Sequence, residues 1–284
     1  MNSVSIPQNV NLHQAGEQIR LEVDGRLLWC HSPLQPAVFA GYGEADIEMQ
    51  RGNFRIRDYV QERVALRHAR LDAQAGLIEL RAWAEGPLLL TLRLDCQGER
   101  VRLLMQAPQP GCNRLWLRLP AEADEQVWGC GEQMSYLNLR GRNFPLWTSE
   151  PGVGRDKSTW LTLQADNEAN AGGDYYHTNY PQPTFMSSRR YCAHLVTCAY
   201  ADFDFRQGDF HELQVWAIPE ALEFFVGDSY IDLVGALSRY FGRQPRLPEW
   251  VLDGAILGLK NGREHAEQHL KTALEEGAKV SALW

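Results

Sequence analysis

The pattern of apolar and polar positions predicts short β-strands over most of the chain, from about residue 17 to residue 228. Apolar and polar side chains alternate over runs bounded by turn residues, which is typical of a double-sheet sandwich or a large barrel. Asp24-Gly25 is a type I′ hairpin signal between two such runs. The predicted strands are residues 18–23, 26–30, 77–83, 88–95, 100–105, 113–119, 160–164, 194–200, 212–218 and 222–226.

One amphipathic helix is predicted at about 229–241, where the β pattern ends. Asp228 and Ser229 supply capping side chains, and Gly242 stops the helix. The next stretch holds two prolines, which fix φ and remove donors, so it reads as a stiff connector. The predicted organisation is a sandwich domain over 1–242, a connector over 243–250 and an incomplete α/β domain over 251–284.

The last segment has the pattern of a βαβ unit. Residues 253–259 are nearly all apolar, Asn261 and Glu264 form a capping-box pattern, Gly277 occupies a C′ position, and residues 279–284 are strand-like. Such a unit cannot bury both faces of its own sheet, and the sequence stops within the second strand. We therefore expect the chain to be the front part of a larger protein.

Composition narrows the functional classes. A net charge of −8 over 284 residues argues against a nucleic acid or an anionic membrane as the main partner. The first residues show neither a basic nor an apolar leader segment, and no run approaches the ~18 apolar residues of a membrane span. Six cysteines lack metal-ligand spacing and are expected to be reduced. These features predict a cytoplasmic protein without a metal site.

The junction after the predicted helix resembles glycoside hydrolase family 31. Tyr240-Phe-Gly242 is followed by Pro245-Arg-Leu-Pro-Glu-Trp250 and by a glycine-containing strand, the order by which that family joins a β-sandwich to a (β/α)8 catalytic barrel. Trp128-Gly-Cys-Gly-Glu-Gln133, with residues 139–142 and 145–150, is similar to the family's G-x-G-E element and the tryptophan-acid loop that follows it.

Further blocks look most like the sulfoquinovosidase branch of that family: residues 49–58, 150–155, 171–176 and 181–185. The resemblance covers essentially the whole chain. It implies a mainly β fold, with a galactose-mutarotase-like sandwich followed by the first βαβ unit of a truncated TIM barrel.

The resemblance also implies an activity, the retaining hydrolysis of α-glycosides and in particular of α-sulfoquinovosides. That chemistry uses two carboxylates roughly 5 Å apart and needs no metal or organic cofactor. In the family both are aspartates on later barrel strands, and the sulfonate-binding residues also lie later, beyond Trp284. No catalytic residue can be assigned here, and we expect the chain alone to be inactive.

Trp147 and Glu150 are the leading candidates for substrate contact, because the family carries an acid at this place on a loop over the barrel mouth. A carboxylate accepts hydrogen bonds from sugar hydroxyls, and an aromatic ring stacks on a pyranose. The family usually has Asp here, so the longer Glu150 side chain could instead reach an aglycone or a neighbouring arginine. The alternative is a solvated acid beside a core tryptophan.

The other candidates each have a structural alternative. Glu132 and Gln133 shape a pocket rim or, as we favour, Glu132 is a buried acid bonded to backbone or to Arg140. Tyr175, beside a Gly-Gly turn, is a rim residue or simple loop packing. Lys260 ends the first barrel strand, where a positive charge would suit an anionic sugar.

Competing functions stay open at this point. One is an α-glucosidase or α-xylosidase of the same family. Another is a non-catalytic carbohydrate-binding or scaffold sandwich, whose partner would be a separate barrel half. A sugar mutarotase would need a histidine and a carboxylate in the sandwich groove, and the sequence shows no convincing pair. A homo-oligomer is also left open.

Overall fold

The structure is a computed structural model that describes residues 7–50, 52–108 and 111–284. Residues 1–6, where the absence of a leader was predicted, and Arg51 of the block 49–58 lie outside the described residues. The chain divides between Leu237 and Ser238 into two compact units.

The strands are β1 Val10–Ala15, β2 Gln18–Val23, β3 Arg26–His31, β4 Val38–Gln50, β5 Asn53–Ala65, β6 His68–Asp72, β7 Leu77–Arg81, β8 Leu90–Gln97, β9 Arg100–Gln106, β10 Arg114–Pro120, β11 Val127–Gly131, β12 Asn143–Leu146, β13 Pro181–Ser187, β14 Tyr191–Val196, β15 Ala201–Asp204, β16 Phe210–Val215, β17 Ala221–Val226, β18 Ala255–Leu257 and β19 Val280–Leu283. The helices are α1 Trp160–Ala169, α2 Tyr230–Phe241 and α3 Arg263–Glu275, with a 3₁₀ turn at Glu249–Leu252.

The first unit is a β-sandwich, as predicted. A six-stranded sheet has the order β12-β15-β16-β10-β4-β5, and an eight-stranded sheet has the order β11-β13-β14-β17-β9-β8-β7-β6. Alternate residues of each sheet point inward, such as Leu115 and Leu117 of β10 and Phe224 of β17, all fully buried in one core. A third sheet, β1-β2-β3, adds its apolar face to that core.

The predicted hairpin at Asp24-Gly25 is confirmed. Both residues have positive φ, 49° and 73°, as a type I′ turn requires, and Val23 pairs with Arg26 across the turn.

The longest hairpin, β4–β5, was not predicted as strands. Each strand has 13 residues. Near the tip, β4 is exposed throughout, whereas in β5 the partly buried Phe54 and Ile56 alternate with the exposed Arg55 and Arg57. The period-2 pattern of a strand is therefore present here, although no strand was predicted. Cross-strand ion pairs hold this part together, with Arg55 3.1 Å from Glu48 and Arg57 3.2 Å from Asp46.

The strand predicted over 160–164 is wrong, because this segment is the start of helix α1. Trp160 and Leu161 are 75% and 62% exposed, and only Thr162 of the helix is buried. The alternation therefore does not reflect burial. A turn in which Asp156 accepts the Ser158 amide at 2.8 Å precedes the helix and starts it instead.

The second unit contains the predicted βαβ arrangement, with β18 and β19 parallel and α3 between them. The capping box is wrong: Gly262, with φ 89°, is the N-cap, and no side chain caps the helix. Gly277 follows the C-cap with φ 82°, as predicted. None of the helices in the described parts of the chain is long and apolar enough to cross a membrane.

Candidate functional site

An open cleft of about 530 Å³ lies beside the loop that follows β12. β12 is an edge strand held by β15, with Leu146 opposite Ala201. Beyond it, Thr148 forms a parallel bridge with Thr178, and the Ser149 amide donates to the Thr178 carbonyl at 3.0 Å. These bonds fix the backbone that carries the candidate residues.

The tip of the β4–β5 hairpin supplies the next contact. The Glu150 amide donates to the Gly52 carbonyl at 2.9 Å, and a Cβ placed on Gly52 would lie 2.8 Å from Glu150 Cγ. The Glu150 side chain is exposed, and its carboxylate has no ion pair with any residue that the structure describes. The backbone is thus anchored while the carboxylate is available to a solute.

Aromatic rings form one wall of the cleft. Trp147 is half-buried, with Phe54 edge-on at 5.5 Å between ring centroids and Tyr200 tilted at 6.0 Å. Tyr200 in turn packs against Trp216, with 4.2 Å between the ring centroids. Packing from behind holds the indole in place, and its remaining exposed surface faces the cleft, where an aromatic ring can cover the apolar face of a ligand. The structure therefore brings Trp147 and Glu150 together at one site.

Tyr175 lies outside this cleft. Its hydroxyl donates to the Asn143 carbonyl at 2.7 Å, and its ring contacts Phe144 edge-on at 5.6 Å. Burial raises the pKa of its hydroxyl. Tyr175 thus supports the start of β12, whereas its neighbours Tyr176 and His177 line a smaller cavity of about 90 Å³ that shares Trp147 with the cleft.

The expected contact between Glu132 and Arg140 is wrong. Glu132 is exposed, and its amide donates to the Tyr180 carbonyl at 2.9 Å. Gln133 Nε2 donates to the Cys130 carbonyl at 3.0 Å. Gly129, Cys130 and Gly131 all have positive φ, and this turn leaves Glu132 exposed while Cys130 is buried.

Arg140 binds backbone instead of a carboxylate. Its guanidinium donates to four carbonyls at 2.6–3.2 Å, those of Glu122, Phe205, Gln207 and Gly208. Arg142 lies over the Tyr136 ring at 3.5 Å. These arginines therefore hold loops together.

Lys260 belongs to the second compact unit. It follows β18 by three residues and is exposed. A contact between Lys260 and an anionic sugar therefore stays a proposal, because it depends on a complete (β/α)8 barrel.

Two residues of the cleft were missed by sequence reasoning. Phe54 lines the cleft and lies within the block 49–58, which carries the family resemblance but offers no polar side chain pattern that predicts a site. Tyr200 was placed at the end of a predicted strand, whereas β14 ends at Val196. Only pairing of distant strands brings these rings to Trp147.

A buried histidine–carboxylate pair was also missed. His211 Nε2 lies 3.2 Å from Glu125 Oε1, and Ser187 and Tyr191 donate to the same carboxylate. Burial raises the pKa of Glu125, but the contact with His211 and the hydrogen bond from Ser187 outweigh it and lower that pKa to about 2. Burial lowers the pKa of His211. Both residues lie in the core, so this pair does not supply the open groove that a mutarotase needs.

The outer face of the six-stranded sheet carries a second polar hollow of about 410 Å³. Its charges are mostly engaged with each other, with Arg63 2.6 Å from Glu212 and Arg206 2.7 Å from Asp204. Burial raises the pKa of Asp202 to about 6, although the Asn143 amide donates to it at 3.2 Å. The charged side chains of this hollow therefore form ion pairs with one another.

Comparison with known proteins decides the relationship. No family model matches the chain. It is 54% identical over 264 residues to a sulfoquinovosidase of Agrobacterium fabrum, covering 93% of this chain and 39% of that protein. It is 43% identical over 274 residues to a sulfoquinovosidase of Escherichia coli, covering 96% and 40%. A GH31 family sulfoquinovosidase from E. rectale, solved with an aza-sugar inhibitor, has a TM-score of 0.82 at 42% identity, covering 96% and 40%.

The chain is related to the glycoside hydrolases of family 31. This confirms the resemblance drawn from the motifs, including its sulfoquinovosidase branch. The chain spans about two fifths of the length of these family-31 relatives, 39% and 40% for the two sequences. The family-31 relationship therefore covers the sandwich and the βαβ segment.

Proposed function

We propose that this chain forms part of the ligand-binding rim of a retaining α-glycosidase that acts on α-sulfoquinovosides. The identities of 54% and 43% with two sulfoquinovosidases support the substrate class. The observation that carries the proposal is the cleft in which Trp147 and Glu150 meet.

The two side chains suit complementary parts of a pyranose. Glu150 accepts hydrogen bonds from hydroxyl groups, and the Trp147 ring covers the apolar face of the sugar. A sulfonate carries the same charge as the Glu150 carboxylate, so the two repel each other. A sulfoquinovosyl ligand is therefore oriented with hydroxyls toward Glu150 and with its sulfonate pointing away.

The chain by itself is proposed to bind but not to hydrolyse. Retaining hydrolysis needs two carboxylates about 5 Å apart. Among the described residues that line the cleft, Glu150 is the single acid. We expect no turnover of an aryl α-sulfoquinovoside by the isolated chain, and turnover would contradict this part of the proposal.

The rim role is tested in a chimera in which this chain replaces the matching segment of the Agrobacterium fabrum relative. Glu150→Gln is expected to lower kcat/KM on an aryl α-sulfoquinovoside about tenfold or more, the effect of a weakened charged hydrogen bond. Glu17→Gln, an exposed acid between β1 and β2, is the matched control. Unchanged kinetics of the Glu150 variant would remove this residue from the site.

A non-catalytic sugar-binding sandwich is the second candidate, favoured by the finding that Glu150 is the one acid among the described residues of the cleft. Saturation-transfer NMR of the isolated chain with sulfoquinovose and with glucose distinguishes the two. Equal binding of both sugars together with an inactive chimera would favour the binding module. A chimera that prefers an aryl α-glucoside would favour the α-glucosidase or α-xylosidase alternative.

A further inference from the structure

Two histidines on helix α3 point their rings at each other. His265 and His269 are four residues apart, so they occupy the same face of the helix one turn apart. Their Nε2 atoms lie 2.8 Å apart, and the ring centroids are 4.3 Å apart at an interplanar angle of 73°. The Nε2 atoms of the two rings therefore face each other.

Such a contact has a restricted chemistry. Each neutral imidazole has one protonated and one unprotonated nitrogen, so the rings can form a direct hydrogen bond only as opposite tautomers. If both Nε2 atoms are unprotonated, their lone pairs converge on the same region and can bind one cation. Neutral imidazole nitrogen is the commonest protein ligand of transition metals.

The separation of the nitrogens indicates which coordination geometry fits. With metal–nitrogen bonds of 2.0–2.1 Å, two ligands at 90° stand about 2.9 Å apart, and two at the tetrahedral angle about 3.3 Å apart. The 2.8 Å between the Nε2 atoms of His265 and His269 is a hydrogen-bond distance, and it lies nearer to the 90° spacing than to the tetrahedral one. Right angles are typical of tetragonal or octahedral Cu²⁺ and Ni²⁺ sites, whereas Zn²⁺ favours the tetrahedron.

The neighbours leave the pair accessible. Both histidines are exposed. Two acids on the same helix have their own partners, with Glu267 2.6 Å from Arg263 and Glu275 3.7 Å from Lys271. Within the described parts of the chain, no group of three or more His, Cys, Asp or Glu side chains is placed to hold a metal. The remaining coordination positions thus fall to water.

We propose that His265 and His269 form a two-histidine chelate for a divalent transition metal, with Cu²⁺ preferred over Ni²⁺ and both over Zn²⁺. Cu²⁺ leads because it forms the most stable complexes of the divalent first-row series. The chelate exists only while α3 is helical, so the metal stabilises this helix against unfolding. The inference is independent of the sugar-binding proposal.

The test uses the untagged chain in a non-coordinating buffer, titrated with CuCl₂, NiCl₂ or ZnCl₂ by calorimetry. One Cu²⁺ per chain is expected, with binding at least about tenfold weaker in His265→Gln and in His269→Gln. His68→Gln, which removes an exposed histidine from β6, is the matched control. Equal Cu²⁺ affinity in the wild type and both helix variants would overturn the proposal.

Two further readouts do not depend on the stability of the variants. The electron paramagnetic resonance spectrum of the Cu²⁺ complex is expected to show hyperfine coupling to two equivalent nitrogens, and its absence would contradict the chelate. Added Cu²⁺ is also expected to increase the far-ultraviolet helical signal that survives at intermediate urea concentrations. A helical signal that is unaffected by Cu²⁺ would argue that the rings only hydrogen-bond each other.

Discussion

Single side chains fix the loops around the sandwich, and Arg140 illustrates the physical reason. Its planar guanidinium carries five donors in a fixed fork, and four carbonyls from two loops accept them at 2.6–3.2 Å. A lysine is a compact charge that cannot match this fork. The geometry, more than the charge, is therefore what the position requires.

Arg140→Ala is expected to lower the free energy of unfolding by about 2–3 kcal/mol, because several carbonyls lose a charged donor. Arg140→Lys should recover less than half of that loss. Urea denaturation measures both, with Arg93→Ala on the exposed face of β8 as the control. Equal stability of the alanine and lysine variants would contradict the importance of the fork.

His31 gives the molecule a sensitivity to acid. Its ring stacks on Trp29 at 5.7 Å, and Nδ1 accepts the Ala37 amide at 3.2 Å. Burial lowers the pKa of His31 to about 4, from 6.5 in the unfolded chain. The unfolded state therefore binds more protons between these values, and stability falls as the pH falls through this range.

The loss attributable to His31 is expected to approach about 3 kcal/mol below pH 4, since each unit of pKa shift is worth about 1.4 kcal/mol. His31→Gln should reduce the slope of unfolding free energy against pH between about 6.5 and 4. The pKa itself is measured by NMR of the imidazole nitrogens. A normal pKa, or identical slopes for the wild type and the variant, would refute this assignment.

At the scale of elements, the tip of the β4–β5 hairpin is a structural part of the cleft. Gly52 has φ +81°, which disfavours any other residue, and its missing side chain leaves room for Glu150. Two separate costs therefore oppose a substitution here. One is local to the backbone, and the other arises from the contact with Glu150.

Gly52→Ala is expected to cost about 1 kcal/mol for the backbone and a further amount for displacing Glu150. Gly98→Ala is the matched control, because Gly98 has φ +59° and nothing within 4 Å of an added Cβ. The difference between the two variants in the free energy of unfolding, measured by urea denaturation, gives the contribution of the contact with Glu150. If both lose the same stability, Glu150 does not pack on the hairpin tip.

Local pattern predicted some elements and failed for others for identifiable reasons. The β2–β3 hairpin and helix α2 have strong turn and capping signals, so both were predicted close to their observed bounds. Helix α1 was predicted as a strand because its exposed tryptophan and leucines imitate a buried alternation. In the outer half of β5, the partly buried Phe54 and Ile56 alternate with exposed arginines, so a strand period was present there and no strand was predicted from it.

At the scale of the whole molecule, the sandwich and the βαβ segment could be predicted because the spacing of apolar residues along the chain matches the periods of strands and helices. The candidate site could be predicted only in part. Trp147 and Glu150 are three residues apart in sequence and were predicted together, whereas Phe54 and Tyr200 reach Trp147 through tertiary pairing. No local pattern specifies that Gly52 contacts Glu150.

The wide separation of the cleft walls along the chain also sets an order of events during synthesis. The cleft can form only after Gly52 at the hairpin tip, Glu150 and Tyr200 have all been synthesised. The β2–β3 turn, by contrast, needs only neighbouring residues. Contacts that bridge long stretches of chain form slowly, because the loop entropy is lost before they are made. On the ribosome, the first hairpins are therefore expected to fold long before the cleft forms. The β4–β5 hairpin packs against Trp147 and Glu150 only after those residues have been synthesised.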